Sequence, residues 1–533
     1  MSRDRVSRAP AVLVVLLVTM VTLGGCGSAG SSATSGSDPA SIVPTGSAAY
    51  FSAVVRPSGS LGTGAVTAAR EITRLGNPFG DLLQAIDRYG STRGTSFSYA
   101  QDVAPWLGSR VGIFVDAPSG TNGAASSGPA VAVLADSTDS TKAMAFIDKS
   151  LRQDSGGQAI VTHSYRGISY DSFGSSGREA GGIIKGFAVF GTAAGVRDAI
   201  DTASGGAPLI GNPSYQSSGV ANATGALATG YMNLDSLLRV LAAGASPEAQ
   251  VFGLSLGQAT KVRTVGMTFS ATGGSLALDM LSSGASGASG SSGSSTSGVS
   301  AAHALAGLPA DAWLGLGIGD LHAGLTSSLG ANAATEQALF ALLDSRLHGL
   351  RIERDILPWV GAAGLFISGD TRSTLGGALV IHSTSPAASK AAVSKIRAAL
   401  ASVRGLAVRP ASVPGADAGL SFRPAGSGVV VYVIDGNGRF AVALGAQAAA
   451  QALRPSQTLG GSSLYQAASS ELGAGVAPTL LVSIPAIARL VLPNLPPATA
   501  AKARPYLGAF TVLAAGEQRS AGRATARLVL GLH

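Results

Sequence analysis

The stretch DVAPWLG at residues 102–108 returns as DILPWVG at residues 355–361, with Trp106 and Trp359 standing 253 positions apart. Matches continue outward from it in order. VGIF from Val111 meets AGLF from Ala363, and GPAVAVLADSTDSTKA from Gly128 meets GGALVIHSTSPAASKA from Gly376. GFAVFG from Gly186 meets RFAVALG from Arg439, and Pro213-Ser-Tyr215 echoes Ser463-Leu-Tyr465. YMNLDSLLRVL from Tyr231 lies opposite LVSIPAIARLV from Leu481. One short match would be noise, but six in register indicate a duplication. Its period is far longer than a solenoid repeat, so the expectation is a tandem domain pair. A Gly/Ser run over 283–300 is too polar to pack and suits a linker. The expected domains are therefore 41–282 and 301–533.

Each copy alternates strand and helix patterns. Ala49 to Val55 reads as a first strand, FGDLLQAIDRY from Phe79 as a helix, and further strands fall near Val111 and Val131. In STKAMAFIDKSLR from Ser140, Ala143, Phe146 and Ile147 share one helical face. Asp435-Gly436-Asn437-Gly438 supplies the positive-φ residues of a tight hairpin within Val429 to Leu444. A closing hairpin pairs Val265, Met267 and Phe269 with Leu276, Leu278 and Met280. Hairpins with helices inserted between them imply α+β domains, each a mostly antiparallel sheet with packed helices.

The N-terminus writes an address. Arg3, Arg5 and Arg8 precede an apolar core over residues 9–23, which ends in Leu23-Gly24-Gly25-Cys26. That is the layout of a secretory signal over 1–26, shorter than the ~20 residues a spanning helix needs. Cys26 is the single cysteine of 533 residues. An exported chain with one thiol forms no internal disulfide. The small residues before it suit a lipoprotein signal, so Cys26 is expected to be the lipid-attachment site, with 27–40 as a Gly/Ser tether. The expected location is the cell membrane, lipid-anchored and facing outside the cytoplasm.

Chemistry is hard to find in the remainder. Charged residues make up 12% and the mean hydropathy is +0.33, yet the most apolar later segment, from Thr479, is broken by Pro485, Arg489 and Pro493. It reads as a buried strand and a helix. The net charge of +8 contains no Lys/Arg run, which argues against nucleic acid as a partner. No Gly-Lys-Ser/Thr, His-Glu-x-x-His or Ser-x-x-Lys pattern occurs, so no cofactor or metal is implied. The six histidines, His163, His303, His322, His348, His382 and His533, are scattered, and none recurs in the other copy. Asp102 and Asp355 do recur, but an acid three residues before Pro-Trp fits a helical-turn cap over a buried Trp. Trp313 is taken to oppose Tyr50, which makes all three tryptophans core residues, and Lys142 and Lys390 recur as solvated positions.

PADAWLGLGIGDL from Pro309, the D-x-x-P-W-x-G segment of both copies, PYLGAFTVLAAG from Pro505 and FAVALGAQAAAQAL from Phe440 carry a resemblance. The chain resembles a family of anchored bacterial proteins of actinobacterial type, the domain of unknown function 3352. That resemblance implies a membrane-anchored envelope protein and no catalytic residues. The function expected is a non-catalytic binding or scaffolding lipoprotein, with an envelope protein or an amphiphile as partner. The alternatives are a carrier of a lipid in an apolar pocket and a hydrolase whose site assembles only on folding.

Overall fold

The structure, a computed structural model, describes residues 37–92, 98–116, 129–174, 179–243, 262–284, 300–321, 350–371, 373–424, 426, 428–520 and 523–533. Cys26, most of the tether and of the linker, His322 and His348 lie outside those residues. The chain divides into two compact units, Met1–Ser286 with Ala521–Thr525, and Gly287–Ser520 with Ala526–His533.

The described strands of the first unit are β1 (Ala49–Val54), β2 (Leu107–Asp116), β3 (Ala130–Ser137), β4 (Ile160–Tyr165), β5 (Ile168–Phe173), β6 (Glu179–Ile184), β7 (Phe187–Gly191), β8 (Ala228–Asn233), β9 (Val262–Ala271) and β10 (Ser275–Gly284). They hydrogen-bond in the order β4-β5-β6-β7-β3-β2-β1-β8-β9-β10, every neighbour antiparallel. The first strand in sequence thus lies between β2 and β8, well inside the sheet.

The second unit contains β11 (Ala312–Asp320), β12 (Val360–Ser368), β13 (Gly376–Ser383), β14 (Val408–Pro410), β15 (Ala418–Phe422), β16 (Val431–Gly436), β17 (Arg439–Leu444), β18 (Ala477–Ser483), β19 (Phe510–Ser520) and, from Ala526 on, β20 (Arg523–Leu532). Their order is β14-β15-β16-β17-β13-β12-β11-β18-β19, with β19 pairing β20. Position for position, it is the order of the first unit.

Helices cover the sheets where periodicity places apolar faces. Ser140–Asp154 is started by Asp139, whose side chain accepts from the Lys142 amide, and it buries Ala143, Phe146, Ile147 and Leu151. Those positions recur at three- and four-residue steps, so one stripe meets the sheet. Phe146 packs 5.4 Å from the Trp106 ring and 5.6 Å from Phe190. The counterpart Pro386–Ala401 buries Ala392, Val393 and Ala399, and the Trp359 ring lies 4.9 Å from Phe440. Ala193–Ala203 packs on β3 and β6. A Cβ at Gly195 would run into the Val131 carbonyl, so glycine permits that close approach.

The 435–438 hairpin is a two-residue turn, Asn437-Gly438, with φ of 54° and 71° between β16 and β17. Arg166-Gly167 and Lys185-Gly186 make the same positive-φ pair in the first unit. The equivalence of Trp313 and Tyr50 is corrected by register. Tyr50 stands opposite Phe114 and Tyr231, whereas Gly315 stands opposite Phe366 and Leu481. Gly315 therefore takes the Tyr50 place, and a Cβ there would lie 2.7 Å from Leu305 Cδ1 and 3.1 Å from Leu459 Cδ2. Aliphatic side chains from neighbouring elements fill the space the Tyr ring takes in the first unit. Trp313 is half-buried, and its Nε1 donates to the Gly369 carbonyl at 2.9 Å.

Candidate functional site

The recurring Asp-x-x-Pro-Trp segments fold into one node in each unit. Trp106 Nε1 donates to the Asp102 carbonyl at 2.7 Å, and Trp359 Nε1 to the Asp355 carbonyl at 2.8 Å. Each carboxylate reaches back four residues to an amide, Ser98 N at 2.8 Å and Arg351 N at 3.0 Å. The other carboxylate oxygen takes a lysine from the following helix, Lys149 Nζ at 2.7 Å or Lys395 Nζ at 2.7 Å. Asp355 also accepts from Arg354 Nε at 3.0 Å. Both carboxylates are committed to the turn and its lysine, so the node holds structure together. Lys142 and Lys390, the lysines that recur in sequence, are exposed.

The carboxyl groups raised furthest above their usual range lie elsewhere, in the first unit. A cleft of about 500 Å³ on helix Ser140–Asp154 is lined by Ala145, Asp148, Lys149, Arg152 and Gln153. Burial and then the neighbouring Asp171 raise the Asp148 carboxyl there. Glu179, at the start of β6 and only 8% exposed, is pushed up to about 7 by burial and then by the charge of Asp154. Behind the sheet, burial and then Asp116 and Asp201 raise Asp198 to about 6. Desolvation is the common cause, since it penalises the charged form. Glu179 is thereby left partly protonated near neutrality and can donate a hydrogen bond there.

A stability signature follows for Glu179. Its proton binds more tightly in the folded state, so the first unit loses stability as pH rises from about 4.5 to about 7. Glu179→Gln cannot ionise. It is expected to raise stability by up to about 3 kcal/mol near pH 8 and to change little near pH 4. Hydrogen exchange of β5 and β6 against denaturant checks this locally. A local probe is needed because His382, lowered by burial and then by Arg439 and His303, works oppositely in the second unit. It makes that unit lose stability as pH falls below about 6.5.

No catalytic set converges with these groups among the described residues. His163 Nε2 lies 2.8 Å from Ser172 Oγ, the spacing of a nucleophile and its base. Ser172 is 4% exposed, however, and the imidazole stacks on Tyr170 with centroids 5.1 Å apart. The hydroxyl is sealed from a substrate. His303 and His382 share an electrostatic neighbourhood around Arg439, and His533 closes the chain with its amide on the Ala509 carbonyl. Among the described residues no group of three or more His, Cys, Asp or Glu is placed to hold a metal, and no helix is long and apolar enough to cross a membrane. A Gly-x-Ser-x-Gly pattern, Gly253-Leu-Ser255-Leu-Gly257, lies outside the described residues. A second cleft of about 360 Å³ is lined by Pro309, Ala310, Asp311, Gln451, Ser456 and Gln457. The second is the more polar of the two, with Asp311, Gln451, Ser456 and Gln457 around it.

Lys149 and Lys395 escaped the sequence reading because the two helices are offset between the copies. Lys149 aligns by residue count with Arg397 rather than with Lys395. Glu179 and Asp198 carried no local signal, since only the fold buries them.

No curated protein matches the chain significantly. Among solved structures, crystal form I of TP0453 is similar at 10% identity over 47% of this chain and 80% of that one, with a TM-score of 0.25. Crystal form IV gives 11% identity, 46% and 80% coverage and a TM-score of 0.25. Likeness at that level carries no argument about this chain. The family described as "Protein of unknown function (DUF3352)" matches residues 12–520. Spanning nearly the whole chain, that match means that the protein belongs to the DUF3352 family.

Proposed function

We propose that this protein is a non-catalytic envelope lipoprotein, anchored at Cys26 outside the cytoplasm, which presents two tandem homologous α+β domains for binding or scaffolding. The observation that carries the reading is the recurrence of one strand order with one Asp-Trp-Lys node in both units. What recurs is framework. Glu179 and Asp198, the carboxyls raised furthest among the described residues, both lie in the first unit. Duplicated framework with divergent surfaces suits a protein that holds partners. Neither of these two clefts among the described residues is lined as a pocket for an amphiphile requires.

The anchor is tested by Cys26→Ser in the native host. Release from the membrane fraction, or an uncleaved signal, is the expected outcome. Unchanged attachment with normal processing refutes the anchor. Native mass spectrometry of the mature protein tests the rest, because a reproducible solvent-extractable mass would replace scaffolding with carriage.

A further inference from the structure

We propose that the helical segment over residues 484–507 of the second unit docks on an anionic lipid surface. It does not rest on an anchor at Cys26. The segment connects β18 to β19 through Ile484–Val491, a turn at Leu492–Asn494 and Pro497–Leu507. Ala486 and Ala500 are the side chains it buries, small residues that set both helices close to the protein body. Ile484, Ile487, Leu490, Leu492, Leu495 and Leu507 are half-buried, and two larger apolar groups face outward. Val491 is 41% and Tyr506 52% exposed, and Pro493, Pro496 and Pro497 are exposed at the tip between them.

Charge selects the partner. From Leu472 to Gly516 the sequence contains no Asp or Glu, while Arg489, Lys502 and Arg504 are all exposed. None of these three forms an ion pair among the described residues. Lys502 and Tyr506 lie four residues apart on one helical face, opposite Ala500, which pairs a cation with an amphipathic ring. Exposed apolar side chains flanked by cations suit the boundary between acyl chains and anionic headgroups. No concave pocket is needed for that contact, and the tip of prolines and Val491 supplies none for a protein side chain to fill.

The test uses the full-length chain with Cys26→Ala and one new cysteine carrying an environment-sensitive fluorophore. Val491→Cys reports on the tip, and Val403→Cys, replacing another exposed valine of the same unit at 40%, reports on a surface outside it. Vesicles of phosphatidylcholine, with or without a third of phosphatidylglycerol, are titrated in. The expected result is a blue shift at 491 with phosphatidylglycerol, no shift at 403, and loss of the response in high salt. Neutralising Arg489, Lys502 and Arg504 together to Gln should weaken vesicle binding roughly 100-fold, about fivefold for each cation. An unchanged thermal melt shows that this variant is folded. A silent label at 491, an equal shift at 403, or a response that survives neutralisation overturns the proposal. A label that ignores vesicles but responds to an acidic envelope protein assigns the surface to that protein and overturns it as well.

Discussion

Trp359→Ala is expected to destabilise the second unit by about 3–5 kcal/mol, a large share of the ~5–15 kcal/mol that holds a domain folded. The ring is fully buried and packs against Phe440. Its Nε1 donates to the Asp355 carbonyl, so truncation opens a cavity and removes that carbonyl's donor. Trp313→Ala in the same unit removes an equally large side chain that is only half-buried and should cost much less. Denaturant unfolding of both variants, followed by hydrogen exchange of β12 and β13, checks the contrast. Equal losses would mean that Trp359 is not the keystone of its turn.

Asp355→Asn should cost about 2–3 kcal/mol near neutral pH, from charge-assisted hydrogen bonds that an amide replaces poorly. The carboxylate is 1% exposed and accepts from Arg354, Lys395 and the Arg351 amide. Those donors, Arg354 foremost and then Lys395, hold it well below the usual carboxylate range. A depressed folded pKa gives stability that is full above the unfolded value near 4 and is lost as pH falls through and below it. The gap between wild type and variant should therefore close in strong acid. Asp102→Asn makes the internal comparison. Its side chain is 20% exposed with a single lysine partner, and the effect there should be nearer about 1 kcal/mol. Urea titrations between about pH 2 and pH 7 decide it, and a gap that persists in acid would contradict the linkage.

The elements that share one strand order in the two units were legible where their signals are local. Asp102 and Asp355 stand four residues before their tryptophans, and Asn437-Gly438 names its turn outright. The stripe of Ala143, Phe146 and Ile147 likewise reads directly from spacing, and all three are buried. What stayed hidden depends on register and on distance along the chain. Trp313 looked equivalent to Tyr50 because both are aromatic near the start of a strand, but pairing gives that place to Gly315. The turns at Arg166-Gly167 and Lys185-Gly186 lack the Asn or Asp that advertises a left-handed residue. Glu179 is ordinary in sequence and becomes unusual only when helix Ser140–Asp154 closes over it.

The interior position of β1 has a consequence for timing. Its two ladders join residues near Ala49 to β2 and to β8, and the second of these lies nearly 180 residues downstream. In the other unit β11 waits in the same way for β18, more than 160 residues on. Closing loops of that length precedes any gain from the pairing, which places both units among slow-folding, high-contact-order topologies. During synthesis the early strands remain without their second neighbour until most of the unit has emerged. Until then the sheet cannot close around the first strand.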